Sequence, residues 1–400
     1  MTDVSTTAEA RSRRNVMLLA FAQALVMIGT STMIAEAALV GHMLAENKAL
    51  ATLPMGLMQL AAMLTTFPAS YLMKLKGRRF GFTVGASFGV AGQVVCVTAV
   101  LMGSFQMFCA GAMLNGVYNG VGLFYRFAAA DGASGAWKSK AISYVLAGGV
   151  IAGIVGPELA KATHDLLAPV AFAGSFAALI VVAILAVLVV QYIDIPVPSG
   201  DERHGATRPL GELLTQPKAV VALIAGIVAY ATMSLVMNAT PLAMVACGLM
   251  FEDAARTIQA HVLAMFAPSF FTGALVNRFG LYRIMMAGAV LFAASAGVVL
   301  SGLTFWHFYV GLILLGLAWN FLYIGATTLL TETYRPSEKA KMQAANDFLV
   351  FGTVAATAAG AGALQHAFGW ATINWLSLPF VILAFVAVAW LAARPKTGAA

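Results

Sequence analysis

Ser70-Tyr-Leu72-Met-Lys74-Leu-Lys76-Gly77-Arg78-Arg79 and Gly273-Ala-Leu275-Val-Asn277-Arg278-Phe-Gly280-Leu-Tyr-Arg283 are two copies of one short loop. Leu72 and Leu275 stand 203 positions apart, as do Gly77 and Gly280. A motif that recurs at half the chain length implies two related halves. Each copy suits a tight turn between helices, with glycine for backbone freedom and basic residues held at one face of a membrane.

The flanking composition explains why a membrane is invoked. Of 400 residues, 61% are hydrophobic and 10% charged, with mean hydropathy +0.87. A soluble domain carries about 25% charged residues. Apolar stretches of about 20 residues recur along the whole chain, each long enough to cross the hydrocarbon core as a helix. They fall near 16–44, 50–73, 81–102, 104–129, 141–162 and 167–194, then near 219–246, 254–277, 284–303, 306–331, 343–366 and 371–393. The reading is an all-α membrane protein of twelve transmembrane helices in two pseudo-symmetric six-helix halves. Residues 1–15 form a cytoplasmic N-terminal tail, 16–194 and 218–393 the two bundles, 195–217 a cytoplasmic linker and 394–400 a cytoplasmic tail. The apolar run after Arg11, Arg13 and Arg14 is too long for a signal-peptide core, so it reads as an uncleaved first helix.

Charge fixes the expected orientation. With both termini inside, only Lys48, Lys161 and Arg256 fall in outer loops, and Arg126 falls within the fourth helix near its inner end. The remaining Lys and Arg are cytoplasmic, as the positive-inside rule requires. The net charge of +7 is therefore topological and does not mark a nucleic-acid surface. No P-loop, zinc-type C-x-x-C, H-E-x-x-H or glycosidase-like acid pair is present, so the chain reads as neither an enzyme nor a nucleotide hydrolase.

The paired loops resemble the G-x-L-x-D-R-x-G-R-R motif of the major facilitator superfamily. The first copy departs from it, with Lys74 in place of Asp and Ser70 in place of Gly. The resemblance implies the major facilitator fold. Gly153-Ile-Val-Gly156-Pro157 is a partial likeness to the antiporter motif of that superfamily, and it keeps a proton-coupled efflux pump for a hydrophobic small molecule as the alternative function.

Two pairs of soft donors have helical i, i+4 spacing: Met233 with Met237, and His261 with Met265. Thioether and imidazole suit Cu(I) better than hard cations. At about 1.5 Å per residue the two pairs overlap in depth in the outer half of the bilayer. Cys247, between Met244 and Met250, is an additional candidate ligand at the outer entrance. Methionine is also an ordinary core filler, and either pair alone reads as packing. Together they resemble the CcoA-type copper importers linked to cbb3-type cytochrome c oxidase biogenesis. That resemblance implies a bacterial cytoplasmic (inner) membrane and import of copper as substrate through Met233, Met237, His261 and Met265. It also implies periplasmic donor and cytoplasmic acceptor proteins as partners beside the lipid bilayer, and no prosthetic group.

Four further groups are singled out. Glu36 is a coupling-proton site or an interfacial carboxylate. Glu158, Lys161, His164 and Asp165 form a solvated cap. Asn238 and Asn320 are positioned to hydrogen-bond across the bundle. Cys96 and Cys109 read as small buried hydrophobes rather than disulfide partners.

Overall fold

The computed structural model describes residues 2–131, 135–195, 208–335 and 338–394. Most of the expected linker, at 196–207, lies outside the described residues. Among the described residues, all regular structure is helical. The elements are α1 (Thr2–Leu44), α2 (Leu53–Lys76), α3 (Arg78–Met102), α4 (Phe105–Gly122), α5 (Tyr125–Asp131), α6 (Gly135–Thr163) and α7 (Ala173–Val190). They continue as α8 (Leu210–Leu214), α9 (Pro217–Ala246), α10 (Phe251–Phe266), α11 (Ser269–Phe279), α12 (Leu281–Leu300), α13 (Phe305–Thr331) and α14 (Lys339–Ala393).

The two loop copies have the same geometry. Gly77 has φ 85° and ψ 161°, and Gly280 has φ 92° and ψ 146°. Each ends one helix and starts the next, and each donates its N–H to the carbonyl four residues back, Met73 or Val276, at 2.9 Å. A side chain would be strained at that φ, which is why glycine stands at both positions. At the Gly103 turn the chain instead closes α3 with a left-handed residue (φ 67°), and Ser104 then caps α4 by accepting from the Met107 N–H at 3.3 Å.

Among the described residues, eight helices are long and apolar enough to cross a bilayer, or nine when α10 and α11 count as one bent span. This establishes the coarse form of the twelve-segment reading, an all-helical multi-span membrane protein. Four features separate twelve from eight, one being that the stretch expected at 141–162, within α6, is not among the eight. The stretch expected at 104–129 is split into α4 and α5, and α4 is diluted by Asn115, Asn119 and a run of glycines. The stretch expected at 254–277 bends by 45° where Pro268 opens α11. The stretches expected at 343–366 and 371–393 run together in α14, with a kink at Gly369 (φ 75°) between them.

Buried apolar residues gather in separate cores. One is built only from residues 213–391. Two others come from α1–α7, and the second of these is joined by Ala358 of α14. The two groups of helices meet where α2 packs on α14, α6 on α10, and α1 on α9 and α10.

Their named contacts concentrate at the end of the bundle that carries the α1–α2 connection. Thr52 Oγ1 donates to the Ala359 carbonyl at 3.0 Å and accepts from the Gly362 N–H at 2.7 Å. A Cβ on Gly56 would stand 2.3 Å from that of Ala359. Gln259 donates to the Ile154 carbonyl at 3.1 Å and to Glu158 at 3.2 Å. Phe251 meets Phe172 edge-on at 5.3 Å and lies 5.0 Å from the ring of His164. His164, Glu158 and Lys161 thus do more than cap a helix in solvent: two of them touch the opposite group. Toward the other end, Leu64, Phe67, Tyr71 and Leu75 form an exposed stripe on α2, and Phe348 is exposed on α14.

Candidate functional site

At mid-length of the helices an aromatic box closes around Tyr230. Its ring meets Trp319 edge-on at 5.1 Å, Tyr323 edge-on at 4.7 Å and Phe351 at 5.5 Å. Trp319 stacks on Tyr323, and Phe266 meets the Trp319 ring at 5.9 Å. Four helices contribute: α9 (Tyr230), α10 (Phe266), α13 (Trp319 and Tyr323) and α14 (Phe351). Trp319 and Tyr323 are four apart, so one face of α13 carries both.

The box borders the junction of the two helix groups. A Cβ on Gly149 of α6 would lie 3.2 Å from Met27 Cε of α1 and 3.3 Å from the Phe266 ring. Asp347 of α14 stands one helical turn before Phe351, on the same face of that helix. The indole N–H of Trp319 is buried and has no hydrogen-bond partner among the described residues. An orphan donor, stacked π faces and adjacent charge suit a flat heteroaromatic ligand with polar edges.

Below the box, Asn320 ties α10, α11 and α13 together. Its Nδ2 donates to the Met265 carbonyl and to Ser269 Oγ, each at 2.7 Å, and its Oδ1 accepts from Thr272 Oγ1 at 2.6 Å. The expected cross-bundle role thus holds for Asn320. Asn238 donates within its own helix, to the Ser234 carbonyl at 2.7 Å.

The soft-donor residues are placed as follows. Met233, Met237 and Met265 lie in the 213–391 core with Ile258, Val262 and Phe292, each under 7% exposed. His261 is fully buried, and its Nδ1 is 2.8 Å from the Leu312 carbonyl of α13. Cys247 lies exposed at the end of α9, apart from that core. No group of three or more His, Cys, Asp or Glu converges among the described residues.

Glu36 is fully buried rather than interfacial. Ser175 Oγ donates to its Oε1 at 2.6 Å, and Oε2 has no hydrogen-bond partner among the described residues. Cys96 and Cys109 are buried and unbridged, as expected.

The aromatic box was missed by sequence reasoning, although a signal was present. Trp and Tyr in membrane helices collect at the interfaces, whereas Tyr230, Trp319 and Tyr323 fall in the middle of their apolar stretches.

Comparison with known proteins places these features. The Major Facilitator Superfamily profile matches residues 223–400. The riboflavin transporter RfnT of Brucella anthropi is 44% identical over 391 residues, 97% of this chain and 98% of that one. The MFS-type transporter YddS of Bacillus subtilis is 23% identical and spans 88% of this chain and 84% of its own. The fold matches that of a mutant form of the nucleoside transporter NupG, with a TM-score of 0.75 at 13% identity over 94% of this chain and 98% of that one.

These findings correct the copper reading. A relative this similar over almost the full length is a riboflavin transporter, and the CcoA-type likeness rested on two short motifs. Copper as substrate, copper donor and acceptor proteins as partners, and a link to oxidase assembly are therefore withdrawn. The physical reason is local: three of the thioethers are enclosed by aliphatic and aromatic carbon, as core filler is. From near-complete coverage by such a relative, the shared fold and the superfamily profile, the chain is a member of the Major Facilitator Superfamily and is not an enzyme.

Proposed function

We propose that this chain is a secondary transporter for riboflavin, or for a flavin sharing its ring system, in a bacterial cytoplasmic membrane. The observation that carries this is the 44% identity to a riboflavin transporter over 97% of the chain. The aromatic box supports it chemically. Riboflavin presents a flat tricyclic ring with carbonyl and N–H edges, and the box offers stacking faces and an unpaired indole N–H.

In this proposal the chain has twelve spans in two six-helix bundles, 16–194 and 218–393, joined by the 195–217 linker, with both termini cytoplasmic. The equivalence of Gly77 and Gly280 and the division of the cores support the two-bundle reading. The basic loops, Lys76 to Arg79 and Arg278 to Arg283, lie at the end opposite the tight α2–α14 and α6–α10 contacts. By the positive-inside rule that closed end faces the periplasm, and the described state faces inward. Transport then requires the two bundles to rock about the box, opening the closed end and closing the other. Met233, Met237, His261 and Met265 serve as the packed wall behind the box.

The test is growth of a riboflavin-requiring bacterium that lacks its own uptake system. Expression of this chain should restore growth at micromolar riboflavin. No rescue by membrane-inserted protein would reject the proposal.

A further inference from the structure

The span made of α10 and α11 is broken beside the aromatic box, and its two limbs are held very differently. They meet at a 45° bend where Pro268 opens α11. Proline has no N–H to give to the preceding turn, so the helix ladder is interrupted there. Among the described residues, α10 buries seven side chains along its length, whereas α11 buries Thr272 alone. The α10 limb is also anchored: His261 Nδ1 is 2.8 Å from the Leu312 carbonyl of α13, and Gln259 reaches Ile154 and Glu158 of α6. On α11, Phe270, Phe271 and Phe279 are exposed, and a Cβ on Gly273 would meet nothing within 4 Å. A limb with few buried contacts moves at low free-energy cost.

What fixes α11 is a cluster of side-chain hydrogen bonds at the break. Thr272 Oγ1 donates to Asn320 Oδ1 at 2.6 Å and lies 2.8 Å from the Pro268 carbonyl. Asn320 Nδ2 spans the bend, donating to the Met265 carbonyl on one side and to Ser269 Oγ on the other, each at 2.7 Å. One amide on α13 thus pins both limbs. Asn320 follows Trp319 in the chain, and Phe266 is the last residue of α10, so the clip and the box share the same break. A few hydrogen bonds of this kind shift a two-state equilibrium by about 10-fold, which a transport cycle can make and break.

Resting on the transport reading above, we propose that α11 is a hinged inner gate, which swings about Pro268 as the two helix groups rock. Asn320 and Thr272 are its positioning residues, and their clip holds the gate in the described position. α11 leads into the basic loop of Arg278 to Arg283, so the gate lies at the open end. Straightening half of the 45° bend would carry Asn277, about 13 Å along α11 from Pro268, by about 5 Å. Rocking of rigid bundles contains no such movement inside one bundle.

The experiment is a spin-label distance between Asn277→Cys on α11 and Thr328→Cys on α13, in purified full-length protein carrying Cys247→Ser. Both positions are exposed and both helices belong to one bundle, so rigid rocking leaves the distance unchanged. Thr272→Val removes the clip, and Gly56→Val parts the closed end. Each should shift the main distance by about 3 Å or more. If Gly56→Val is not monodisperse, Gly56→Ala makes the same test, since its Cβ would stand 2.3 Å from that of Ala359. In proteoliposomes, Thr272→Val should slow riboflavin uptake by about 10-fold while the riboflavin Kd, read by fluorescence quenching, stays within about threefold. Thr272→Ser should restore the rate. An unchanged distance in either variant would overturn the hinge. So would Thr272→Val uptake at the wild-type rate, or affinity lost in step with the rate. A chain that neither binds nor carries riboflavin, yet shows both distance shifts, would overturn the flavin reading and leave the hinge standing.

Discussion

The indole of Trp319 lies nearly parallel to the phenol ring of Tyr323, with 5.1 Å between centroids and 18° between planes. Tyr230 meets both edge-on, at an interplanar angle of 90°. Stacked and edge-on rings in one cluster form a surface that can exchange ring–ring contacts for ring–ligand contacts. Stacking of a base on an aromatic side chain contributes about 1–3 kcal/mol, so Trp319→Ala should weaken flavin binding on the order of 10-fold or more. Trp319→Phe should retain most of the affinity. Flavin fluorescence quenching on purified protein measures both.

The soft-donor pairs give the opposite expectation. Met and Leu exchange in a core usually costs less than about 1.5 kcal/mol. The double variant Met233→Leu/Met237→Leu should therefore keep riboflavin uptake within about twofold of wild type. Cellular copper content should not change with expression of either form. Elemental analysis beside the uptake assay checks both statements.

Close helix packing behind the box is less forgiving. A Cβ on Gly316 of α13 would stand 2.5 Å from the His261 carbonyl of α10 and 3.1 Å from the Met265 N–H. These are backbone atoms and cannot move aside without parting the helices. Gly316→Ala should lower the Tm of purified protein by several degrees and reduce flavin binding. Gly273→Ala, where a Cβ meets nothing within 4 Å, is the matched control. Differential scanning fluorimetry distinguishes them.

The closed end should open when its closest approach is blocked. Gly56→Val would force α2 away from the Ala359 backbone, which lies 2.7–2.8 Å from the position of a Cβ. In a Cys247→Ser background, the thiol introduced by Thr52→Cys should then react faster with a membrane-impermeant reagent added outside the cell. Equal labelling with and without Gly56→Val would contradict the assignment of this end as the closed, outer one.

Outside the spans, the linker end is pinned by a buried carboxylate. Glu338 accepts from Arg208 Nε at 2.8 Å, from the Arg208 guanidinium Nη2 at 2.7 Å, and from the backbone N–H groups of Arg208 and Arg335. The Arg208 side chain, followed by the Arg335 N–H, holds its carboxyl well below the usual carboxylate range. A lowered carboxyl stabilises the fold above its unfolded value of about 4.3, and that stability is lost as pH falls. The Tm should therefore decline as pH drops below about 4, while Glu338→Gln should have a lower Tm at pH 7 and a shallower acid slope. Thermal melts from pH 7 to pH 3 test this.

The fold was legible where local chemistry sets it. Gly77 and Gly280 could be matched by spacing because a positive φ leaves few other residues for that turn. Helix ends at Gly103 and Ser104 follow from equally local rules. The splits at Leu123 and Pro268 were not legible, since a hydropathy window averages over a bend. The binding site was less readable because it depends on which faces of distant helices converge. His261 drew attention as a lone intramembrane imidazole, yet its ring serves to hold α10 to α13 through the Leu312 carbonyl. Asn320 was noticed as polar, but its neighbours Trp319 and Tyr323 were hidden among many apolar residues. Only packing shows that Tyr230, eighty-nine positions before Trp319, completes their cluster.

The most direct test is time-resolved uptake of labelled riboflavin by cells carrying this chain, beside Trp319→Ala and Met233→Leu/Met237→Leu at matched membrane expression. The account predicts uptake above the empty vector, lost in the tryptophan variant and kept in the methionine variant. A wild-type chain that adds no riboflavin uptake, or uptake lost with the methionines and kept without the indole, would contradict it.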